Sequence, residues 1–101
     1  MAGHRIELHS GAREDYLESL DWYLERSALV ARRFQDELRH AFDLIAANPE
    51  IHAADHNEIR WKRMDRFPHV IYFRIREPQK IEILAVAHGR RQSGYWRDRI
   101  P

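Results

Sequence analysis

One stretch of this 101-residue chain reads Lys80-Ile81-Glu82-Ile83-Leu84-Ala85-Val86-Ala87-His88. Apolar residues fall on both of its faces, which is typical of a strand buried in the middle of a sheet. The residues that follow change character, because Arg90 and Arg91 are adjacent and Tyr95 precedes Trp96. A core strand that leads into such a segment brings cationic and aromatic side chains to the surface. This arrangement indicates contact with an anionic or aromatic target.

The first quarter of the chain predicts a short strand and a helix. Residues 4–9 alternate polar and apolar side chains, as a half-buried strand does. Ser10 or Gly11 then serves as the cap of a helix, with Glu14 and Asp15 in its first turn, where carboxylates complement the helix dipole. The apolar residues of this helix recur at helical spacing: Ala12, Tyr16, Leu20 and Tyr23 or Leu24.

A second helix follows a tight turn near Ser27. Its apolar residues form one stripe: Val30, Phe34, Leu38, Ala41, Phe42 and Ile45. Asn48-Pro49 ends this helix, because proline cannot continue it and disfavours helical geometry in the residue before it. The two helices form an antiparallel hairpin whose stripes need a sheet to pack against.

Three strands are predicted in the second half of the chain, at residues 59–64, 69–76 and 80–88, with a turn at Glu77-Pro78-Gln79. Short connections between them make this part of the sheet antiparallel. The sequence therefore predicts one α+β domain over residues 1–101. It consists of an N-terminal strand, a two-helix antiparallel hairpin, and a mostly antiparallel sheet with three C-terminal strands.

Composition narrows the class of protein. The chain has no cysteine, which excludes disulfides and zinc–cysteine sites. No apolar run approaches the roughly 18 residues of a membrane span, and no signal-peptide core is recognisable, so we expect a cytoplasmic protein without membrane contact. We expect neither a cofactor nor a metal. His52, Asp55 and His56 have a metal-like spacing, but they lie in a polar connector.

The small net charge hides a strong asymmetry along the chain. Residues 1–56 contain six Lys/Arg and eleven Asp/Glu, whereas residues 57–101 contain eleven Lys/Arg and five Asp/Glu. The two halves therefore carry net charges of −5 and +6. Such asymmetry indicates a partner that meets the basic half, such as nucleic acid or an acidic polypeptide. The alternative is that the strands merely carry solvated arginines.

The basic half contains a candidate target-binding cluster. Arg60 and Lys62 share one face of their strand, Arg66 lies in the following turn, and Arg90 and Arg91 leave the last strand. If the strands form a meander, these cations gather along one side of the sheet, where they can neutralise an anion. The alternative interpretation is a solvated sheet face with local ion pairs.

Four further residues carry candidate chemistry. His69 and His88 are candidates for a general acid or base, although a lone histidine more often has a structural role. Tyr95 and Trp96 are suited to stack on bases or to fill a protein groove. Alternatively, Trp96 folds back and covers the sheet.

The chain resembles the RelE/ParE superfamily of bacterial type II toxins over nearly its full length. The resemblance depends on the order of the elements, on Asn48-Pro49, on Arg66-Phe67-Pro68-His69 before a tyrosine-containing strand, and on His88-x-Arg90-Arg91 followed by Trp96. It implies a growth-inhibiting toxin of the kind associated with plasmid stabilisation, which a cognate antitoxin wraps and silences. RelE-like members cut messenger RNA on the ribosome, whereas ParE-like members poison DNA gyrase.

The resemblance also suggests roles for individual residues. Arg60 and Lys62 match the two basic strand positions of the ribonucleases, and Tyr95 matches their C-terminal tyrosine. Two other cationic positions are changed or shifted, falling at His69 and at or near Gly89, so the chain is closer to the ParE-like branch and a non-enzymatic toxin. If it is a ribonuclease instead, the candidate catalytic residues are Arg60, Lys62, His69, His88, Arg90, Arg91 and Tyr95.

Two partners follow from this hypothesis, a target and an antitoxin. The target-binding residues are predicted to be Arg60, Lys62, Arg66, Arg90, Arg91, Tyr95 and Trp96. Trp22, on the opposite side of the first helix from Leu20 and Leu24, is predicted to anchor the antitoxin. A third alternative is a non-toxic binding module with the same fold.

Overall fold

The structure is a computed structural model that describes residues 4–77 and 79–100. Six elements follow one another within these ranges: β1 Arg5–Leu8, α1 Ser10–Leu24, α2 Ala28–Ala47, β2 Arg60–Arg63, β3 His69–Glu77 and β4 Lys80–His88. Short 3₁₀ turns lie at Pro49–Ile51 and Arg97–Arg99. The α+β prediction and the order of its elements are confirmed. Pro78, placed in the turn between the last two strands, lies outside the described residues.

The four strands form one sheet in the order β1-β4-β3-β2. β2 and β4 both pair antiparallel with β3, while β1 pairs in parallel with β4. The α1–α2 pair connects β1 to the meander of the other three strands. β4 is thus an inner strand, as its apolar character predicted, and its C-terminal end delivers residues 89–100, which we call the tail.

β4 contains a β-bulge that controls where its side chains point. Tyr72 of β3 pairs with Ala85, but the next residue, Phe73, pairs with Ile83, so Leu84 is an extra residue on β4. Such an insertion bends the strand and frees backbone groups from the ladder. As a result, Ile83 belongs to the core beneath the helices, whereas Leu84 and Ala85 belong to a second core on the opposite face.

The larger core lies between the helices and the sheet. The predicted stripe of α2 contributes the buried Phe34, Leu38, Ala41 and Ile45, while Phe42 is only partly buried. On α1, Ala12 is buried and Tyr23 rather than Leu24 packs inward. The Tyr16 hydroxyl accepts a hydrogen bond from Gln35 Nε2 at 3.2 Å. This contact between the middle of α1 and the middle of α2 fits an antiparallel hairpin.

The start of α1 differs from the prediction. His9, not Ser10 or Gly11, is the cap, because its Nδ1 accepts a hydrogen bond from the backbone N of Gly11 at 2.9 Å. Histidine is outside the usual set of capping residues, which is why the pattern missed it. The helix therefore begins at Ser10, and Glu14 and Asp15 fall in its second turn, where Asp15 faces the protein interior.

Candidate functional site

A cleft of about 460 Å³ lies between α1 and the residues at the end of β4. Its lining from α1 consists of Asp15, Glu18, Ser19, Trp22 and Tyr23, and its lining from the sheet and tail consists of Pro68, His69, Val86, His88, Arg90, Arg91 and Tyr95. We call it the α1–tail cleft. A concave surface that combines aromatic and charged side chains is typical of a binding site.

Two histidines lie side by side in this cleft. His69 at the start of β3 pairs with His88 at the end of β4, and their ring centroids are 5.0 Å apart. His69 Nε2 is hydrogen-bonded to Ser19 Oγ of α1 at 3.0 Å. His88 is more exposed, and its Nδ1 accepts a hydrogen bond from the backbone N of Arg90 at 3.0 Å. The pair therefore joins α1, both strands and the tail.

Burial favours a structural role for His69. Its ring is enclosed, and removal from water, followed by the nearby His88, lowers the pKa of His69 to about 4. The imidazole is therefore neutral near pH 7, and a group of such low basicity is a poor general base there. The packing of the ring against Phe34, with centroids 4.9 Å apart, places it in the core rather than at a reacting surface.

The low pKa of His69 predicts acid sensitivity. Between pH 6.5 and pH 4 the unfolded chain binds a proton at this residue and the folded chain does not, so acidification favours unfolding. The expected loss from this one group is about 2 kcal/mol between pH 7 and pH 5. Urea unfolding of the wild-type chain and of His69→Gln at both pH values measures it. Equal pH dependence in the two proteins would contradict the prediction.

Arg90 and Arg91 are exposed on the tail side of the cleft. The Arg91 guanidinium lies over the Tyr95 ring, 3.9 Å from its centroid, and its Nη1 is 3.9 Å from Glu18 Oε1. The arginine is thus held over an aromatic face while it stays open to solvent. This geometry suits a guanidinium that binds a carboxylate or a phosphate of a partner.

Trp22 lines the α1 side of the same cleft and is 51% exposed. The Arg26 guanidinium stacks on its ring at 3.7 Å, and Arg26 Nη1 donates to the Trp22 carbonyl oxygen at 2.8 Å. A large aromatic side chain left in water at the rim of a cleft is a common anchor for a protein partner.

Asp15 is a site residue that the sequence did not reveal. The residue is 7% exposed, and its carboxylate accepts hydrogen bonds from Val86 N, the Tyr95 hydroxyl and the Arg99 guanidinium. The available signal was its position on α1, four residues before Ser19 and three after Ala12, which puts it beside the buried stripe. The sequence pattern predicts for it only a favourable interaction with the helix dipole.

The five cations predicted to gather along one side of the sheet lie on three different parts of the structure. Arg60 donates to the carbonyl oxygens of Glu50 and His52 at 3.2 and 2.8 Å, which ties it to the connector after α2. Lys62 lies beside it on β2, an edge strand separated from β4 by β3. Arg66 lies in the β2–β3 turn, where its backbone N donates to Glu37 of α2. Of these five, only Arg90 and Arg91 line the cleft.

Trp96 is a core residue, which corrects its assignment as a target-binding residue. It is 2% exposed and stacks on Tyr72 with ring centroids 4.4 Å apart. No helix covers the sheet face that carries Leu84 and Ala85 within the described residues, so the tail supplies the aromatic cover there. The structure agrees with the alternative prediction, in which Trp96 folds back and covers the sheet.

Tyr95 lies in the cleft, but its hydroxyl is already engaged. It donates to Asp15 Oδ2 at 2.9 Å. Burial, and then the hydrogen bond to the Asp15 carboxylate, raise the pKa of Tyr95 well above its usual value. A phenol held in its protonated form by a buried carboxylate is poorly suited to act as a base at neutral pH.

Two further observations concern the part of the chain that the structure describes. Neither helix is long and apolar enough to cross a membrane. No group of three or more acidic or histidine side chains there is arranged to hold a metal ion.

Comparison with known proteins identifies the family. Residues 6–93 match the family model described as the ParE toxin of the type II toxin-antitoxin system parDE. A solved structure titled the chromosomal ParDE TA system from P. aeruginosa contains a similar chain, with a TM-score of 0.72 and 16% sequence identity. That similarity covers 84% of this chain and 95% of the other. No curated protein matches the sequence.

The family match spans most of the chain, while the structural similarity shows the shared fold. The chain belongs to the ParE toxin family of type II toxin-antitoxin systems. Its placement in the RelE/ParE superfamily, closer to the ParE-like branch, is confirmed.

Proposed function

We propose that this chain is a growth-inhibiting toxin that binds DNA gyrase through Arg90, Arg91 and Tyr95 in the α1–tail cleft. The observation that carries the proposal is the pair of exposed arginines on a tail that is fixed to the core at both Tyr95 and Trp96. Guanidinium groups on an ordered support can bind acidic groups of a partner bidentately, with little loss of conformational entropy.

Three features of the structure support a binding role more than RNA cleavage. Arg60 and Lys62 lie on β2 and do not line the α1–tail cleft, whereas the tail arginines do. Tyr95 is protonated and hydrogen-bonded to Asp15. His69 is enclosed in the core. A ribosome-dependent ribonuclease would need such groups to converge on one phosphate, because proton transfer requires hydrogen-bond distance.

We further propose that the cognate antitoxin covers the α1–tail cleft. Trp22 and the two arginines line that cleft together, so an antitoxin segment anchored on Trp22 also lies over Arg90 and Arg91. Acidic residues in the segment would complement the arginines and Arg26. Neutralisation then results from covering the surface that meets the target. Both gyrase and the ribosome are cytoplasmic in bacteria, and the proposal places the toxin there.

Trp22→Ala is expected to weaken the antitoxin complex by about 2 kcal/mol, or roughly 30-fold, as for a central aromatic anchor. Calorimetric titration of toxin with its antitoxin measures the change. Leu29→Ala is a matched control, since Leu29 is also a highly exposed apolar residue of the helical pair but does not line the cleft. Unchanged affinity in Trp22→Ala would remove Trp22 from the interface.

The function itself is tested by expression without the antitoxin. The proposal predicts growth arrest, inhibited gyrase supercoiling and intact messenger RNA in the same cells. Cleavage within translated codons, lost in Tyr95→Phe, would instead identify a ribonuclease. Normal growth would identify a non-toxic binding module.

A further inference from the structure

The Asp15 carboxylate accepts hydrogen bonds from three residues, one on β4 and two in the tail. Its Oδ2 accepts from Val86 N at 3.1 Å, from the Tyr95 hydroxyl at 2.9 Å and from Arg99 Nη1 at 2.8 Å. Its Oδ1 accepts from Arg99 Nη2 at 3.2 Å, which makes the pair with Arg99 bidentate. The hydrogen bond to Asp15 also raises the pKa of Arg99. A buried carboxylate with this many donors holds them in fixed positions.

The bulge in β4 makes this arrangement possible. The extra residue Leu84 leaves a carbonyl oxygen that accepts from Arg99 Nη1 at 2.8 Å, while the nearby Val86 N turns to Asp15. Arg99 passes close to the start of α1, where a Cβ atom on Gly11 would overlap the Arg99 guanidinium. A glycine there leaves the space that the guanidinium occupies. The end of the tail is therefore fastened to both β4 and α1.

Arg91 is connected to this network through Tyr95. The Tyr95 ring carries the Arg91 guanidinium on one face at 3.9 Å, and its hydroxyl is fixed by Asp15. The other partner of Arg91 is the exposed Glu18, at 3.9 Å, and exposed pairs of that kind contribute little order. The direction of Arg91 thus depends mainly on where Asp15 holds the aromatic ring.

We propose that Asp15 is a positioning residue, which holds Tyr95 and through it presents Arg91 to the target of the toxin. This inference rests on the proposed function, in which Arg90 and Arg91 contact the target. It assigns to Asp15 an effect on activity that is separate from its contribution to the stability of the fold.

Two variants of the full-length toxin separate these effects. Tyr95→Phe keeps the ring beneath Arg91 and removes only the hydroxyl that Asp15 holds, while Asp15→Asn keeps the size of the side chain and removes its charge. Each is expected to need about tenfold more toxin for half-inhibition of gyrase supercoiling, a loss typical of one hydrogen bond to a charged group. Circular dichroism and a cooperative melt confirm folding.

Nuclear magnetic resonance supplies a readout that overall stability does not move. Side-chain protons of Arg91 lie over the Tyr95 ring, so its ring current shifts their resonances upfield. In Asp15→Asn, and to a smaller degree in Tyr95→Phe, these resonances are expected to move toward random-coil positions while the amide signals of β3 and β4 stay in place. This measurement needs no target, so it reports the placement of Arg91 even when one variant is too unstable for the supercoiling assay.

Arg91→Ala separates the two levels of the proposal. The positioning role is supported when Arg91→Ala loses inhibition and the folded Tyr95→Phe and Asp15→Asn variants inhibit more weakly. In those two variants the Arg91 resonances must also be displaced. The positioning role is overturned when Arg91→Ala loses inhibition but Tyr95→Phe and Asp15→Asn keep full activity and unmoved Arg91 resonances. That result leaves the proposed function intact. Full activity of Arg91→Ala combined with Arg90→Ala overturns both.

Discussion

Trp96→Ala is expected to lower the free energy of unfolding by about 3–5 kcal/mol, as for other buried aromatic residues replaced by alanine. The side chain is 2% exposed, stacks on Tyr72 and packs with Leu84 and Ile59. It is the largest buried contribution of the tail to the sheet face opposite the helices. Urea unfolding followed by circular dichroism measures the change.

Trp22→Ala is the matched control, because it removes the same side chain from an exposed site. Its effect on the free energy of unfolding is expected to stay within about 1 kcal/mol. Ile83→Ala, in the core between the helices and the sheet, is expected to lower the free energy of unfolding by about 2–5 kcal/mol, as Trp96→Ala does. Phe42 is only partly buried, so its replacement costs less than Ile83→Ala. Similar stability of the two tryptophan variants would mean that the tail does not cover the sheet.

Arg90→Ala combined with Arg91→Ala is expected to abolish growth arrest. Each guanidinium at the centre of an interface contributes about 2 kcal/mol, so the affinity for the target should fall by roughly 1,000-fold when the two contributions add. The fold should survive, because exposed charges outside the core usually change stability by less than about 0.5 kcal/mol. Growth curves after induction, together with a thermal melt of the purified variant, measure both effects.

The chain offers a close control for this double variant. Arg32 and Arg33 are also adjacent and exposed, but they lie on α2 and outside the α1–tail cleft. Their replacement by alanine removes the same charge and should leave growth arrest intact. Equal toxicity of the two double variants would show that the tail arginines are a solvated end of the chain. A collapsed melt in Arg90→Ala with Arg91→Ala would show that they are structural.

Much of the fold could be predicted because it depends on local patterns. The two apolar faces of residues 80–88 place that strand inside the sheet, and Asn48-Pro49 ends α2 where proline requires it. The antiparallel pairing of β2, β3 and β4 follows from the short connections in the second half of the chain, whereas the parallel pairing of β1 with β4 was not predicted. These features are encoded in periodicity and in single residues with strong backbone preferences.

The site was harder to predict, because it depends on contacts between residues far apart in the chain. Asp15 contacts Tyr95 and Arg99, and Arg99 is more than 80 positions away in the chain. Hydrophobic periodicity carries no information about such long-range contacts. The bulge at Leu84 adds one residue to a strand without changing its apolar pattern. The charge counts placed Arg60 and Arg91 in one basic cluster. Charge alone, however, does not determine where in the sheet a residue lies.

The central claim is that the tail arginines of this ParE family member act on gyrase. Its most direct test is a supercoiling assay with purified gyrase, purified wild-type toxin and the Arg90→Ala, Arg91→Ala double variant at micromolar concentrations. We expect inhibition by the wild-type toxin, none by the double variant, and full inhibition by the control with both α2 arginines replaced. Unimpaired supercoiling in the presence of wild-type toxin, or equal inhibition by the double variant, would contradict it.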